Sequence, residues 1–191
     1  MGWVASLARI VPNHLAMAWW GLVTPRVWEK EPLVVVQGVV LDGERVLLSV
    51  RSDLHGWELP GGNPDASEPD EAAMRREIFE ETGIEVAVER RVGDYVRTGF
   101  RPHTARVFLC RATGGGLRTS AETSIVRWFP IGQIPDTLFP WYRAPLEDAL
   151  ADLAEPVERH EYQGRAAIWA GMKIDFRMRL SDDRAGIGDG G

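Results

Sequence analysis

The chain has 191 residues, of which 45% are hydrophobic and 26% are charged, and its formal net charge at pH 7 is −6. This length suffices for one domain with a sizeable core, and the acidic balance argues against a nucleic-acid partner, because non-specific nucleic-acid binding needs a basic face. A single cysteine, Cys110, excludes an internal disulfide and favours a cytoplasmic location.

Residues 1–31 are predicted to form a tryptophan-rich helical extension, because apolar residues recur at helical spacing on both sides of Pro12. We expect the extension to pack on the core or on a second subunit, which would make the protein a homodimer. The alternative is a helix that rests on a membrane surface. Such helices usually carry a basic face, whereas Arg9 is the only lysine or arginine before Arg26. Membrane contact is therefore the weaker alternative.

A β-hairpin is predicted after the extension. Residues 33–41 are rich in valine, Asp42 and Gly43 form a turn, and residues 45–50 follow as the second strand. A loop then leads through residues 57–59 to a glycine turn at 60–62, where the backbone can approach a ligand closely.

The next predicted element is a helix with Ser67 as its N-cap, and Gly83 ends it. Within it Glu77, Glu80 and Glu81 are spaced i, i+3 and i+4, which places their Cβ atoms on one face, about 5–6 Å apart. Three like charges this close destabilise a bare helix, and hard carboxylate oxygens at this density suit a divalent cation such as Mg²⁺. A solvated acidic face is the alternative interpretation.

The remaining chain predicts further strands and one late helix. Pro145 begins that helix, residues 172–180 alternate strictly between apolar and charged side chains as a half-buried strand does, and the Gly- and Asp-rich residues 181–191 are predicted to be a disordered tail. Three more strands are predicted over residues 86–97, 104–111 and 125–129. Strands and helices in this order predict an α/β fold with a mixed sheet between helices.

The stretch from Gly62 to Ile84 carries a longer pattern, G-x5-E-x7-R-E-U-x-E-E-x-G-U, in which U is apolar. This pattern resembles the Nudix box, and every fixed position of the box is present. The resemblance, which flanking features extend to roughly residues 32–154, implies a Nudix-type α/β/α sandwich with a mixed sheet. We predict a Nudix hydrolase domain over residues 32–180 that includes the additional C-terminal strand and follows the N-terminal helical extension.

The resemblance also implies roles for the residues of the box. Glu77, Glu80 and Glu81 match the family's metal-binding carboxylates, and the carbonyl group of Gly61 matches a backbone ligand. Arg76 matches an arginine that orients these carboxylates by ion pairing. The implied cofactor is Mg²⁺ or Mn²⁺.

Two further glutamates complete the implied catalytic set. Glu68 matches the box glutamate near the start of the helix, with a structural or auxiliary role. Glu122 lies just ahead of the strand predicted at 125–129 and fits the family's loop carboxylate, a metal ligand or a base, with a solvated loop side chain as the alternative. The base stays open among Glu122, Glu68 and a glutamate of the box.

Substrate contacts are predicted in the loop of residues 97–103. Arg101 suits bidentate contact with phosphate, and His103 lies beside it. Phe100 could stack on a base, as could Trp57 ahead of the glycine turn. The alternative is a solvated hairpin tip.

The function implied by the resemblance is metal-dependent hydrolysis of a phosphoanhydride bond. The substrate would be a small nucleotide-like molecule, a nucleoside diphosphate linked to another group, and water would attack at phosphorus. A binding module that keeps the fold but not the activity, or a membrane-associated interaction protein, is the alternative. The sequence does not identify the nucleoside diphosphate derivative.

Overall fold

The computed structural model of the protein describes residues 15, 33–99, 102–151, 153–180 and 187–189. The predicted extension over residues 1–31, apart from Leu15, lies outside the described residues. So do Phe100 and Arg101 of the predicted substrate loop, and the predicted tail apart from residues 187–189.

A mixed β-sheet organises the described part of the chain. Its strands are β1 (Leu33–Asp42), β2 (Arg45–Arg51), β3 (Trp57–Glu58), β4 (Gly61–Gly62), β5 (Ile84–Gly99), β6 (His103–Gly115), β7 (Thr123–Pro130), β8 (Val157–Gln163) and β9 (Ile187–Asp189). The α-helices among the described residues are α1 (Asp70–Thr82), α2 (Arg143–Leu150) and α3 (Arg165–Leu180).

The sheet has the order β8-β5-β6-β1-β2-β7-β9, with β3 paired to β2 and β4 paired to β1. β1 and β2 form the predicted hairpin, since they pair antiparallel with Asp42 opposite Arg45. β1 also pairs with β6 in parallel, and β5 pairs with β6 antiparallel. The mixed sheet predicted from the sequence is therefore confirmed.

The two faces of the sheet carry separate apolar cores. Because side chains alternate between faces along a strand, Val36 and Val40 of β1 pack with Met74 and Ile78 of α1. Val39, on the opposite face, belongs to a second cluster that receives side chains from α2 and α3. The sheet thus lies between α1 on one side and α2 with α3 on the other, which is the predicted α/β/α sandwich.

The ends of α1 follow from its sequence, but not entirely as predicted. Gly83 ends the helix in the left-handed conformation, with φ of 76°. Ser67 as the N-cap is wrong: the helix begins at Asp70, after Pro69, with no side-chain cap. Proline disfavours the helical conformation in the residue before it, so Glu68 cannot join the helix. The first turn is held instead by Arg106, whose Nη1 donates to Asp70 Oδ2 at 2.7 Å.

The C-terminal strand predicted over residues 172–180 is wrong, because this stretch is the second half of α3. Phe176, expected to be inside, is 49% exposed, whereas the charged Asp175 is fully buried. Alternation is a weak signal within a longer run of good helix formers, and the i, i+4 pair of Asp175 and Arg179 (2.9 Å) supports the helix.

Two other findings concern the ends and the membrane. Residues 187–189, within the predicted disordered tail, form β9 and pair with β7 in parallel. Within the ranges that the structure describes, every helix is too short or too polar to cross a membrane.

Candidate active site

A cleft of about 850 Å³ lies beside β1 and the C-terminal end of α1. This volume is in the range of small-molecule sites. We call one part its acidic end, formed by Gly61, Gly62, Glu77, Glu80, Glu81 and Glu122. We call the other part its aromatic end, formed by Arg97, His103, Phe139, Trp141, Tyr142 and Gln163.

The glycine turn brings the backbone against the acidic end. β4 pairs with β1, which places Gly61 opposite Gln37. Gly61 has φ of +152°, and a Cβ atom there would lie 2.1 Å from the carbonyl oxygen of Val36, so only glycine fits. As a result the N–H group of Gly61 donates to Glu81 Oε2 at 3.0 Å.

Arg76 forms ion pairs with glutamates of the box, as the resemblance implies. Its Nε and Nη2 donate to the two carboxylate oxygens of Glu68 at 3.0 and 2.8 Å. Its Nη1 donates to Glu77 at 2.9 Å and to Glu80 at 3.2 Å. These bonds from Arg76, with one from the backbone of Asp65, hold the pKa of Glu68 at about 2.

The pKa values of Glu77 and Glu81 are raised, whereas that of Glu68 is lowered. Burial raises the pKa of Glu81 to about 7, although the Gly61 N–H bond opposes this, and the charges of Glu77 and Glu122 add to it. Burial also raises the pKa of Glu77, against the effect of Arg76. The charge of Glu122 contributes to raising the pKa of both Glu77 and Glu81. Glu122, which was predicted from its place ahead of β7, therefore lies close to both.

The donor set fits a hard divalent cation. Six carboxylates but only two arginines are among the described residues that line the cleft, an excess of four formal negative charges if all are ionised. Oxygen donors of this kind are those that Mg²⁺ binds. In the described ranges no three His, Cys, Asp or Glu side chains are arranged as a metal cluster; Glu77 and Glu80 contact Arg76 instead.

Of the predicted substrate-binding residues that the structure describes, one lines the cleft and one does not. His103 lines the aromatic end of the cleft. Trp57 as a stacking residue is wrong, because its side chain is 1% exposed and packs edge-on against Phe129 in the core. Its strand β3 pairs with β2, so the ring is enclosed by the sheet rather than presented by a loop.

Several residues at the cleft carry no sequence motif. Glu58 is buried and accepts a hydrogen bond from the Tyr142 hydroxyl at 3.1 Å. The guanidinium group of Arg97 is buried and donates to Glu161, to His103 and to the carbonyl group of Trp141. These partners lie far apart along the chain and meet only in the folded structure. The sequence feature that could have indicated Glu58 and Arg97 is the presence of a charged residue within a strand.

Burial of Glu58 predicts a pH-dependent stability. Burial raises its pKa from 4.5 to about 8, with a smaller contribution from the charge of Glu81 and against the effect of Arg51. A raised carboxyl pKa means that the folded state holds the proton more tightly. The free energy of unfolding must therefore fall as the pH rises from about 4.5 to about 8.

Glu58→Gln should remove this loss while keeping an acceptor for Tyr142. We expect the variant to match the wild type at pH 4 and to exceed its free energy of unfolding by roughly 2–4 kcal/mol at pH 9. Thermal unfolding across this pH range measures the effect, with the exposed Glu71→Gln as the control. Parallel curves for Glu58→Gln and the wild type would refute the assignment.

Known proteins are similar to the part of this chain that contains the acidic end of the cleft. A family model described as the NUDIX domain matches residues 32–149. A MutT-like protein of Streptomyces ambofaciens is 38% identical over 139 residues, which is 72% of this chain and 88% of that protein. A Bacillus subtilis protein whose name proposes 8-oxo-dGTP diphosphatase activity is 33% identical over 111 residues, 58% of this chain and 74% of that protein.

Solved structures give the same result for the fold. A NUDIX hydrolase from Nitrosomonas europaea superposes with a TM-score of 0.63, over 70% of this chain and 80% of that chain. Its sequence identity is 20%, so the similarity bears on the fold alone. The matched region contains the acidic end of the cleft, whereas β8 and α3 follow the residues that the family model matches.

Proposed function

This chain belongs to the Nudix family of pyrophosphohydrolases, and on that premise we propose that it hydrolyses the phosphoanhydride bond of a nucleoside diphosphate linked to another group, with Mg²⁺ or Mn²⁺ as cofactor. Water attacks at phosphorus. The single cysteine supports a cytoplasmic location.

The observation that carries the proposal is the charge of the acidic end. A phosphoanhydride is itself anionic, and it would enter a cleft whose described lining residues have an excess of carboxylates. Both cations of that lining already have carboxylate partners, Arg51 with Asp53 and Arg97 with Glu161. Divalent cations bound to the glutamates would offset the repulsion, and this supports metal dependence.

Each residue of the acidic end has a role in this proposal. Glu77, Glu80, Glu81 and Glu122, with the carbonyl group of Gly61, would hold the metal. When bound, the metal withdraws charge from the phosphate oxygens and lowers the pKa of a bound water.

Arg76 positions two of these carboxylates, and Glu68 positions Arg76. Glu68 is set apart from the other candidates for the base, because Arg76 and the backbone N–H of Asp65 occupy both of its oxygens. The remaining candidates for the base are Glu122 and the three helix glutamates Glu77, Glu80 and Glu81.

The test is a metal-dependent substrate screen on the full chain. The panel contains 8-oxo-dGTP, suggested by the name of the Bacillus subtilis relative, together with dGTP, ADP-ribose, a nucleotide sugar and coenzyme A. We expect hydrolysis of at least one compound with Mg²⁺ or Mn²⁺, its loss on chelation with EDTA, and its recovery when the metal is restored. Product release is followed by chromatography.

The screen also separates the alternatives. Binding of a panel compound without turnover, measured by calorimetry in the presence of Mg²⁺, would favour a nucleotide-binding module. Turnover that is unchanged by EDTA would overturn the metal assignment. Absence of both binding and turnover would overturn the proposed function.

A further inference from the structure

The aromatic end of the cleft is completed by residues that the family model does not match. The family model ends at residue 149, whereas one lining residue belongs to β8 and three belong to α3. We call them the C-terminal wall: Gln163, Ala167, Ile168 and Gly171. The part of the cleft that they enclose therefore depends on an element added to the matched domain.

The C-terminal wall is fixed against the rest of the cleft. Asp175 of α3 is fully buried and accepts a hydrogen bond from the backbone N–H of His55 at 2.7 Å. Arg179 binds Asp175 and donates to the carbonyl oxygen of Asp53 at 3.1 Å. These hydrogen bonds join α3 to the loop that follows β2. They fix the position of the C-terminal wall relative to the rest of the cleft.

The length of the cleft separates its two ends. Along β1, Gln37 pairs with Gly61 at the acidic end, and Leu33 pairs with His103 at the aromatic end. Four residues of strand span roughly 13 Å. A phosphoanhydride held at the acidic end therefore leaves the aromatic end to another part of the same substrate.

The aromatic end carries no uncompensated cation among its described residues. Arg97 donates from Nε to Glu161 at 3.1 Å and from Nη1 to His103 Nε2 at 3.3 Å. It also donates to the backbone carbonyl group of Trp141. With these bonds made, Arg97 has little capacity for an anion, so this end suits an uncharged group better than a second phosphate.

A stacked aromatic pair lies at the same end. The Trp141 ring stacks on Phe139 with 4.7 Å between centroids and 8° between planes. A Cβ atom on Gly171 would lie 3.3 Å from Cη2 of Trp141, so α3 approaches the edge of the indole closely. A planar heterocycle stacks well on such a fixed aromatic surface.

One buried polar atom beside the acidic end has no hydrogen-bond partner among the described residues. Gln37 is 7% exposed, lines the cleft, and its Oε1 has no hydrogen-bond partner within the described residues. Buried polar atoms are normally paired. Since Gln37 lies opposite Gly61, a donor on the bound molecule would sit next to the phosphates, where a nucleotide carries its sugar hydroxyl groups.

We propose, on the basis of the proposed function, that the C-terminal wall and Trp141 select a flat uncharged base, with Gln37 accepting from the sugar. The substrate is then a nucleotide with nothing anionic beyond its base. Specificity for the base then comes from β8 and α3 acting together with Trp141 of the matched domain.

The experiment compares the best nucleotide of the panel with its base-free counterpart, which keeps the sugar and the phosphates. We expect the wild type to prefer the nucleotide in kcat/KM by about tenfold or more. Gly171→Ala, which pushes on Trp141, should reduce this preference at least about threefold, and Trp141→Leu should remove most of it. Phe176→Ala, on the exposed side of the same helix, is the control that keeps the preference.

The outcomes distinguish this inference from the proposed function. If the wild type hydrolyses both compounds equally well, or if Gly171→Ala and Trp141→Leu both stay within about twofold of the wild-type preference, the inference is wrong and the hydrolase remains. A preference for the base-free counterpart over the nucleotide would also overturn it. Absence of any hydrolysis by the wild type is a failure of the proposed function instead.

Discussion

Glu81→Gln is expected to lower kcat/KM at least a hundredfold at saturating Mg²⁺, a loss of about 2.7 kcal/mol of transition-state stabilisation. Glu81 accepts a hydrogen bond from the Gly61 N–H at the acidic end, and its replacement removes one charge from the proposed metal-binding set while keeping the side chain's shape. Glu80→Gln should show a loss of the same kind. Steady-state kinetics on the substrate found in the screen gives the measurement.

Glu81→Gln should also stabilise the metal-free protein. Burial raises the pKa of Glu81 to about 7, so the folded state loses stability as the pH rises from about 4.5 through about 7. At pH 8 the amide variant should therefore be more stable by roughly 1–3 kcal/mol, and at pH 4 it should equal the wild type. Lower activity together with higher metal-free stability is a combination that damage to the fold does not produce.

Glu71→Gln is the matched control, because Glu71 lies on the same helix but is exposed and does not line the cleft. It should keep kcat/KM within about twofold. If Glu80→Gln and Glu81→Gln both keep a near-normal kcat/KM at saturating Mg²⁺, these two glutamates do not hold the metal. Glu77 and Glu122 would then be the remaining carboxylate candidates for metal ligands.

The parts of the site that the sequence predicted are those held by local structure. Glu77, Glu80 and Glu81 share a face because helical spacing requires it, and Arg76 reaches Glu80 across a single turn. Gly61 and Gly62 precede that helix by a short loop, so their position follows from the same stretch. Periodicity and turn residues also predicted the hairpin of β1 and β2 and the mixed character of the sheet.

The parts that it did not predict depend on contacts between distant segments. Trp57 looked like a ligand-binding residue beside a glycine turn, but pairing of β3 with β2 places it inside the core. The alternation of residues 172–180 hid a helix whose buried face is set by Asp175 and Arg179. No local pattern indicates that this helix returns to the cleft.

Arg97 joins three other segments that are distant in the chain, and we expect its loss to be strongly destabilising. The residue is 2% exposed, and its three acceptors come from β8, β6 and the turn before α2. Arg97→Met would leave Glu161, His103 and the carbonyl group of Trp141 without this donor. Removing one partner of a buried pair typically costs about 3–5 kcal/mol.

We expect Arg97→Met to lower the free energy of unfolding by about 3 kcal/mol, at the low end because Glu161 is 26% exposed. For a domain of this size the change corresponds to a fall in Tm of roughly 6–12 °C. Arg97→Lys should recover little, because an ammonium group cannot match the planar fork that reaches three acceptors.

Two further variants decide whether the cost comes from the buried ion pair. Arg111→Met breaks a pair with Glu89 of similar length, 2.9 Å, whose side chains are 62% and 42% exposed, and should cost less than about 1 kcal/mol. Adding Glu161→Gln to Arg97→Met should restore part of the lost stability, because it removes the carboxylate left without its cation. Equal costs for Arg97→Met and Arg111→Met, with no recovery in the double variant, would show that Arg97 does not join β8 to the cleft.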